Sequence, residues 1–353
     1  FYDYTFSTPF NVLSAGTYNI SAGLSDVNGM GNDNNTSNDN LTVSRCVGLS
    51  GTYTINNLFP TAGSNYNSFA DAVADLNNCG VSGAVTFNVS TGTFNEQIVL
   101  GEIAGASAIR PITFRGISSN PAQVVLSNAT SLSTTNYTVR LNGTDWVRFE
   151  DMTIQATGTS FTRVVDISNG AENNKFEGCT FLGDTNVSTT STNKVLVWSA
   201  NGNDNNNEFR DNHFHGGSYG MYWYGTTTTS LEEGGIIEDN LFEDQYFYGI
   251  RTWYTSNLKF RNNEIRSNAL YTGTSYGAYF YYADNAFEAT GNTIEGGGRM
   301  FTYGLYMVNC DATNINKGLV ANNFIHVGDT ALSSTFYGMY MSNSGFQQVV
   351  HNS

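Results

Sequence analysis

Charged side chains are scarce in this sequence, and the basic ones are the scarcer kind. Charged residues make up 13% of the 353-residue chain, about half the share of roughly 25% that is usual in globular domains. Lysine and arginine number 15 against 30 aspartates and glutamates, so the formal net charge is −15. Nucleic acids and anionic membrane surfaces are recognised by clustered basic side chains. We therefore expect neither kind of partner.

Long apolar runs and metal-type cysteine spacings are both absent. No stretch of about 18 apolar residues occurs, so we predict no transmembrane helix and no membrane insertion. The chain has four cysteines, none in a spacing typical of zinc sites, and no metal ligands are assigned from them. Cys46 and Cys79 flank the start of one domain and could form a disulfide in an oxidising compartment. The alternative is that all four cysteines are buried free thiols.

Aromatic residues are abundant, although charged ones are not. They reach 14% of the chain, whereas disordered segments are poor in them, so a packed fold is expected. Residues 1–46 are typical of the last part of a β-sandwich domain. Within them, residues 17–24 alternate between polar and apolar side chains, and residues 39–44 have the pattern of a final strand.

The loop between those two strands is rich in aspartate, asparagine and glycine. Its side-chain oxygens could hold Ca²⁺, but the same residue types are common in turns. We expect no other cofactor. The candidate calcium ligands are Asp26, Asn28 and Asp33.

Residues 47–353 have a different character, with one helix followed by short strands. The helix is predicted over residues 68–79, where Ser68 can cap the first turn and Asp71 follows three residues later. An apolar stripe at helical spacing supports it, formed by Phe69, Ala72, Val73 and Leu76. Strand patterns then continue to the end of the chain without another helix.

Two short motifs recur along these strands. The first is Tyr-Gly-apolar, in most copies followed by a second tyrosine, and its copies are 27 to 34 residues apart. The second is apolar-x-x-Asn-x-apolar, in which Met152 and Cys179 occupy the asparagine position of two earlier copies. Repeats of this length that contain strands and no helix indicate the coils of a solenoid. The asparagine positions are Asn212, Asn240, Asn263, Asn292, Asn323 and Asn352.

The physical chemistry of asparagine assigns this position to a corner of each coil. Asparagine tolerates the left-handed backbone conformation better than most residues, so we expect it to adopt that conformation at the corner. Its amides, stacked coil upon coil, could form a hydrogen-bonded ladder. With the Tyr-Gly strand as the third strand of the coil, the pattern predicts a parallel β-helix of about nine or ten coils.

These motifs resemble the right-handed parallel β-helix of the pectate-lyase type. Residues 49–116 resemble a module that recurs in large secreted surface proteins of Bacteroidota-type bacteria. There the module often follows Ig-like or CARDB-like sandwich domains, which residues 15–43 also resemble. The predicted fold is therefore all-β, with a partial β-sandwich at residues 1–46 and a right-handed parallel β-helix at residues 47–353. The resemblance implies a secreted or cell-surface location.

Alternation along the Tyr-Gly strands predicts an aromatic outer surface. The third and fifth positions are mostly apolar and should face inward, so the fourth and sixth should face outward. In pectate-lyase-like enzymes this face holds polysaccharide, so the resemblance implies glycan binding. The alternative is a tyrosine ladder that only stabilises the sheet. The outward residues are Tyr222, Tyr224, Arg251, Trp253, Tyr279, Tyr281, Tyr306 and Tyr340.

Functionally, the sequence favours a structural or display segment of a large adhesin-like surface protein that binds a polysaccharide or cell-surface glycan. The alternative is a polysaccharide lyase or glycoside hydrolase, which would use carboxylates in nearby loops at about 5–10 Å separation. No acidic residue is predicted on the outward strand positions, and His213 is predicted to be a surface residue, so no catalytic residue is assigned. The loop carboxylates are Glu232, Glu233, Glu243 and Asp244.

We also expect the chain to be an excerpt of a longer protein with further domains. The pattern at residues 346–353 stops at the asparagine of a new coil, and residue 1 lies within a strand pattern. An uncapped coil would expose a cross-section of the core and unpaired strand edges.

Overall fold

A computed structural model of the protein describes residues 16–23, 40–200, 202–267, 274–296, 302–328 and 335–353. The three calcium candidates Asp26, Asn28 and Asp33 lie outside the described residues. Of residues 1–46, the structure describes one antiparallel pair, formed by Gly16–Gly23 and Asn40–Val47.

The rest of the described chain winds into coils, and each coil contributes one strand to each of three sheets. Strands of successive coils pair in parallel, with counterpart residues in register. In the order in which a coil visits them, the sheets are called sheet 1, sheet 2 and sheet 3. The described residues contain nine complete coils and the first strand of a tenth. This architecture is a parallel β-helix with three strands per coil.

The strands have the following bounds. Sheet 1 contains Leu49–Ile55, Asn65–Tyr66, Val81–Val89, Ile112–Gly116, Val147–Glu150, Lys175–Glu177, Glu208–Arg210, Ile236–Glu238, Lys259–Arg261, Glu288–Thr290, Gly318–Ala321 and Gln347–Val350. Sheet 2 contains Gly92–Asn95, Val124–Asn128, Thr153–Ala156, Thr180–Leu182, His213–His215, Leu241–Gln245, Glu264–Ser267, Thr293–Glu295 and Phe324–His326. Sheet 3 contains Ile98–Leu100, Val139–Asn142, Val165–Ser168, Val195–Ala200, Tyr219–Tyr224, Tyr248–Ser256, Tyr276–Asp284, Tyr303–Val308 and Tyr337–Ser342, with Glu232–Glu233 paired beside Tyr248–Ser256.

The α-helix that precedes the first complete coil spans Phe69–Cys79. The Ser68 hydroxyl accepts a hydrogen bond from the main-chain N–H of Asp71, which satisfies a donor of the first turn. Cys79, the last residue of the helix, is disulfide-bonded to Cys46, with the two Cα atoms 5.0 Å apart. Cys179 and Cys310 are buried free thiols. Among the described residues, no helix is both long and apolar enough to cross a bilayer.

Phenylalanine columns fill the interior of the coils. In sheet 1 the rings stack from one coil to the next with centroids 4.9–5.2 Å apart. Sheet 2 repeats the arrangement at 4.4–4.6 Å. All of these rings are fully buried, so each column removes a continuous apolar surface from water. The columns are Phe87, Phe114, Phe149, Phe176 and Phe209 in sheet 1, and Phe181, Phe214 and Phe242 in sheet 2.

An asparagine ladder runs along the corner between sheets 1 and 2. Each ladder asparagine except the last donates from Nδ2 to the Oδ1 of its counterpart in the next coil, over 2.8–3.1 Å. The same Oδ1 also accepts the main-chain N–H of the earlier asparagine. The second Nδ2 hydrogen goes to a sheet 1 carbonyl of the preceding coil, as from Asn263 to Ile237. The ladder members are Asn212, Asn240, Asn263, Asn292, Asn323 and Asn352.

The prediction that the ladder asparagine itself is left-handed is wrong. The left-handed residue is the one immediately before it, such as Asp211 at φ 54°, Asp239 at φ 59° and Asn262 at φ 51°. The turn is therefore completed one position earlier. This leaves the ladder side chain pointing inward, where its oxygen can accept two hydrogen bonds from the neighbouring coil.

A group of three polar side chains is buried inside the coil beside sheet 3. The Ser199 hydroxyl oxygen lies 2.8 Å from Asp204 Oδ2 and 3.1 Å from Glu232 Oε1. A hydroxyl carries one hydrogen, so it can donate to only one of the two carboxyl groups, and the other must donate to it. Burial raises the pKa of Asp204, but this carboxyl also accepts the main-chain N–H groups of Gly170 and Ala171, which oppose the shift and favour its ionised form relative to Glu232.

Glu232 is therefore the protonated member of this group. It is 2% exposed, and burial, followed by the charge of Asp204, raises the pKa of its carboxyl well above the usual range. A buried acid whose folded-state pKa is raised contributes full stability below its unfolded pKa. That stability is lost as the pH rises towards the folded-state value.

We predict that Asn263→Leu destabilises the protein strongly. The change leaves the main-chain N–H and the Nδ2 of Asn240 without their acceptor, and the Ile237 carbonyl without its donor. Each unsatisfied buried group costs about 1–3 kcal/mol, so the free energy of unfolding should fall by more than about 2 kcal/mol in urea denaturation. The control is Asn262→Gly at the same corner, which retains the left-handed conformation and should behave nearly as wild type. A melting temperature for Asn263→Leu within about a degree of wild type would show that the ladder contributes little.

We also predict that Glu232→Gln removes a pH-dependent loss of stability. Glutamine keeps the size and the acceptor of the protonated acid, so the two proteins should melt alike near pH 4.5, about the unfolded pKa of glutamate. The variant should then become increasingly more stable than wild type, by a few degrees, as the pH rises from about 4.5 towards the folded-state pKa of Glu232. Thermal melting followed by circular dichroism across this range measures the difference. Glu233→Gln, its exposed neighbour, should show no such trend. A constant difference at every pH would contradict the protonated state of Glu232.

Candidate functional site

The glycine of the Tyr-Gly motif is required for steric reasons at the start of the sheet 3 strands. A Cβ at Gly220 would lie 2.5 Å from the carbonyl oxygen of Gly249 and 2.6 Å from the Phe242 ring. A Cβ at Gly249 would meet Ile265 and the Gly277 carbonyl oxygen just as closely. Only glycine lets the backbone pass this close to the core of sheet 2 and to the next coil.

Beyond the glycine, side chains of the Tyr-Gly strands alternate between the core and the outer surface. Met221, Trp223, Ile250 and Thr252 are buried, at 0–3% exposure. The eight residues predicted to face outward all lie on the outer side of sheet 3 and are partly exposed. The structure therefore gathers them on one surface. With Trp198 of the preceding coil they form what we call the aromatic face: Trp198, Tyr222, Tyr224, Arg251, Trp253, Tyr279, Tyr281, Tyr306 and Tyr340.

Rings of the aromatic face are stacked along the helix axis. Tyr222 stacks on Trp198 with centroids 4.6 Å apart, and Tyr279, Tyr306 and Tyr340 stack at 4.8 and 4.9 Å. Tyr224, Trp253 and Tyr281 form a neighbouring column of tilted rings, 5.1 and 5.2 Å apart. Burial raises the pKa of Tyr279 to about 12, so its phenol stays a neutral hydrogen-bond donor at physiological pH.

A third column consists of the tyrosines at the first position of the Tyr-Gly motif, and it packs against the two columns of the aromatic face. Its rings stack nearly parallel with centroids 4.7–5.1 Å apart. They also meet the aromatic face edge-on, as Tyr248 meets Tyr279 at 5.7 Å. This third column therefore packs against one side of the aromatic face. Its members are Tyr219, Tyr248, Tyr276, Tyr303 and Tyr337.

Arg251 interrupts the first column at the place of a tyrosine. Its guanidinium carbon lies 4.5 Å from the ring centroid of Trp253 and 5.3 Å from that of Tyr222. Tyr248 and Tyr279 surround it at 5.4 and 5.6 Å. Cation–π attraction holds the guanidinium among these rings. Within the described part of the chain no carboxylate forms an ion pair with Arg251, and neither its Nε nor the Trp253 Nε1 has a hydrogen-bond acceptor.

Sequence reasoning missed the start of the face, because the coils before residue 219 lack the Tyr-Gly motif. Trp198 is in register with Asp166 of the preceding coil, and Asp166 is in register with Arg140 of the coil before that. Asp166 Oδ1 is 3.2 Å from Arg140 Nε, and its Oδ2 is 3.8 Å from Arg163 Nη1. The Arg163 guanidinium in turn stacks on Trp198, 3.8 Å from the ring centroid. An acidic residue therefore lies on an outward position of sheet 3, in a coil that precedes the Tyr-Gly strands.

The environment of Asp166 and Arg163 is set by burial. Burial raises the pKa of the Asp166 carboxyl, although Arg140 and Arg163 oppose the shift. Burial likewise lowers the pKa of Arg163 to about 10, with Asp166 acting in the opposite direction. Among the described strands of sheet 3, Asp166 is the one acidic residue in the two outward columns. Paired carboxylates for glycoside hydrolysis are therefore not assembled on this face.

The four loop carboxylates lie elsewhere. Glu232 is the buried partner of Ser199, and Glu233 is exposed beside Asn257, whose Nδ2 donates to it over 3.0 Å. Glu243 belongs to the sheet 2 strand Leu241–Gln245, and so does Asp244. The prediction that all four lie in loops is wrong, because Glu232 and Glu233 form a short strand beside Tyr248–Ser256 and the other two belong to sheet 2. His213 is also on sheet 2, where it is partly exposed.

Comparison with known proteins supports the fold. The family described as "Right handed beta helix region" matches residues 137–324. No curated protein matches the sequence. Among solved structures, the A-module of mannuronan C-5 epimerase AlgE6 from Azotobacter vinelandii is similar at 13% identity and a TM-score of 0.50, over 81% of this chain and 72% of that one.

Two further structures are similar over much of their length. The GH136 lacto-N-biosidase from Eubacterium ramulus matches at 12% identity and a TM-score of 0.48, over 84% of this chain and 68% of that one. The pectin methylesterase PemA from Erwinia chrysanthemi matches at 10% identity and a TM-score of 0.43, over 82% and 80%. The family match and the three parallel sheets confirm the predicted all-β, right-handed parallel β-helix, and the chain belongs to the right-handed β-helix family.

Proposed function

We propose that the aromatic face binds a polysaccharide or cell-surface glycan that lies along the helix axis. The chain then acts as a display or adhesin-like segment of a secreted or cell-surface protein, and its partner is held without chemical change. The similar structures share only the fold with this chain, so the proposal rests on the face itself.

The observation that carries the proposal is Arg251 in its ring of aromatic side chains. A tyrosine at this position would continue the stacked column, as Tyr222 and Tyr279 do on either side. Arginine instead places a cation there that no described carboxylate neutralises. Cation–π contacts hold this cation in place but offer its N–H groups no hydrogen-bond acceptor, whereas a bound glycan offers hydroxyl or carboxylate oxygens as acceptors.

The dimensions of the face suit an extended ligand. From Trp198 to Tyr340 the first column crosses five coil steps, or about 24 Å at the usual strand spacing of about 4.8 Å. Partly exposed rings offer flat apolar surface to the C–H faces of sugars, and the phenol groups can hydrogen-bond to sugar hydroxyls. Several sugar rings can therefore lie on the face at once.

Binding is favoured over catalysis by the acidic groups of the face. Asp166 is held between two arginines, and no second carboxyl stands beside it in the described outward columns. The disulfide between Cys46 and Cys79 is in keeping with an oxidising, extracellular compartment. The alternative, a polysaccharide lyase or glycoside hydrolase, would release cleaved sugar products. Product assays on the same samples therefore test it.

We predict that the triple change Tyr222→Ala, Trp253→Ala, Tyr279→Ala abolishes binding to a glycan that is positive on an array. Loss of three partly exposed rings removes the stacking surface, while the buried columns remain. Affinity electrophoresis or array retention measures binding, and circular dichroism verifies the fold. Phe324→Ala, an exposed aromatic on sheet 2, is the matched control and should bind as wild type. Unchanged retention by the triple variant would reduce the face to a structural ladder.

We predict further that Arg251→Gln weakens binding to the same glycan by about 10- to 100-fold, the range for a lost hydrogen bond from a charged donor. The loss should be larger for acidic glycans than for neutral ones. Reducing-end and unsaturated-product assays on the wild-type mixtures should detect no product. Release of product would favour the enzyme, and equal binding by Arg251→Gln would remove the main support for the site.

A further inference from the structure

Two histidines and a glutamate come together on the outer surface of sheet 2, away from the aromatic face. Side chains alternate along the strand His213–His215, so both imidazoles face outward while Phe214 is fully buried in the core. In the next coil Glu243 lies in register beside His215. Thus an outward His-x-His pair on one strand is adjacent to an outward carboxylate on the neighbouring strand.

The distances between these groups are short. His213 Nε2 lies 3.1 Å from Glu243 Oε2. The two imidazole rings are stacked, 5.2 Å apart and 8° from parallel. One ligand atom from each of the three residues can be chosen so that all three lie within 4.8 Å of one another. Tetrahedral Zn²⁺ with bonds of about 2.0–2.1 Å needs ligand atoms roughly 3.3 Å apart, so side-chain rotations that shorten these separations by up to about 1.5 Å would close the site.

We propose that His213, His215 and Glu243 form a binding site for a divalent transition metal ion of the Zn²⁺ class. Two imidazoles and one carboxylate are a ligand set that suits Zn²⁺ and leaves a fourth position for water or another donor. The ion would bridge two successive coils. The site is independent of the glycan face and does not depend on the function proposed for it.

Neighbouring groups complete the surroundings of the site. Asp244 Oδ2 lies 3.5 Å from His215 Nε2, where it can orient that ring or offer a further oxygen. Arg266 Nη1 contacts Glu243 Oε1 at 3.2 Å and leaves Oε2 on the side of His213. Arg266 is in turn neutralised by Glu264 at 2.6 Å.

Two separate ion pairs are the alternative to a metal site, because His213 Nε2 lies 3.1 Å from Glu243 and His215 Nε2 lies 3.5 Å from Asp244. A metal site differs from them in that both imidazoles and Glu243 bind one ion. Titration with the metal distinguishes the two.

The test uses the whole chain without a histidine tag, treated with a chelator and then dialysed. Titration with ZnCl₂ in a calorimeter should show one ion bound per chain, with a Kd below about 10 µM. Co²⁺ should give the intense visible absorption of a tetrahedral site. His215→Gln and Glu243→Gln should each raise the Kd for Zn²⁺ at least tenfold.

The matched control is His326→Gln. His326 occupies the outward position in register with His215, four coils further along sheet 2, and is not part of the cluster. Its substitution should leave the Kd unchanged. A Kd for the wild type above about 1 mM, or an equal loss in all three variants, would overturn the proposal. Circular dichroism verifies that every variant is folded, and failure of glycan binding has no bearing on the result.

Discussion

The register between successive coils is the constraint on which the rest of this structure depends. The asparagine ladder fixes that register, because each amide oxygen accepts two hydrogen bonds from the counterpart residue one coil away. A slip of one residue would exchange inward and outward side chains on every strand. It would also leave buried amides without partners, at a cost of about 1–3 kcal/mol for each group.

Once the register is fixed, similar side chains of successive coils stack on one another. Inside, phenylalanine rings repeat at the spacing of neighbouring strands and form continuous columns. Outside, the same spacing turns the isolated tyrosine of each motif into an aromatic surface that only Arg251 interrupts between Tyr222 and Tyr340. Exceptions to the repeat are therefore informative. Arg251 within the aromatic column and His213 beside Glu243 on sheet 2 are both departures that packing alone does not require.

Much of the fold could be predicted from the sequence, because the two repeated motifs encode it directly. The asparagine spacing identified the corner, and alternation identified the outward residues from Tyr222 to Tyr340. The backbone conformation at the corner could not be predicted. Each corner has two adjacent residues that tolerate a left-handed conformation, such as Asp211 beside Asn212 or Asn262 beside Asn263. Structure was needed to show which one adopts it.

The parts of the site that were missed share one cause. Trp198 and Asp166 lie in coils without the Tyr-Gly motif, so nothing in their local sequence marks them as members of the face. The pairing of His215 with Glu243 depends on register between strands 28 residues apart. Glu232 reads as a loop carboxylate, and only its packing against Ser199 shows that it is buried and protonated.

The central claim is that this register creates a ligand-binding surface on sheet 3. A crystal structure of the chain with an array-positive oligosaccharide tests it most directly. The account predicts sugar rings stacked on Tyr222, Trp253 and Tyr279, with an oxygen of the glycan accepting from Arg251. Sugar bound elsewhere, such as in the cleft beside Trp146 and Lys175, with the aromatic face left empty, would contradict it.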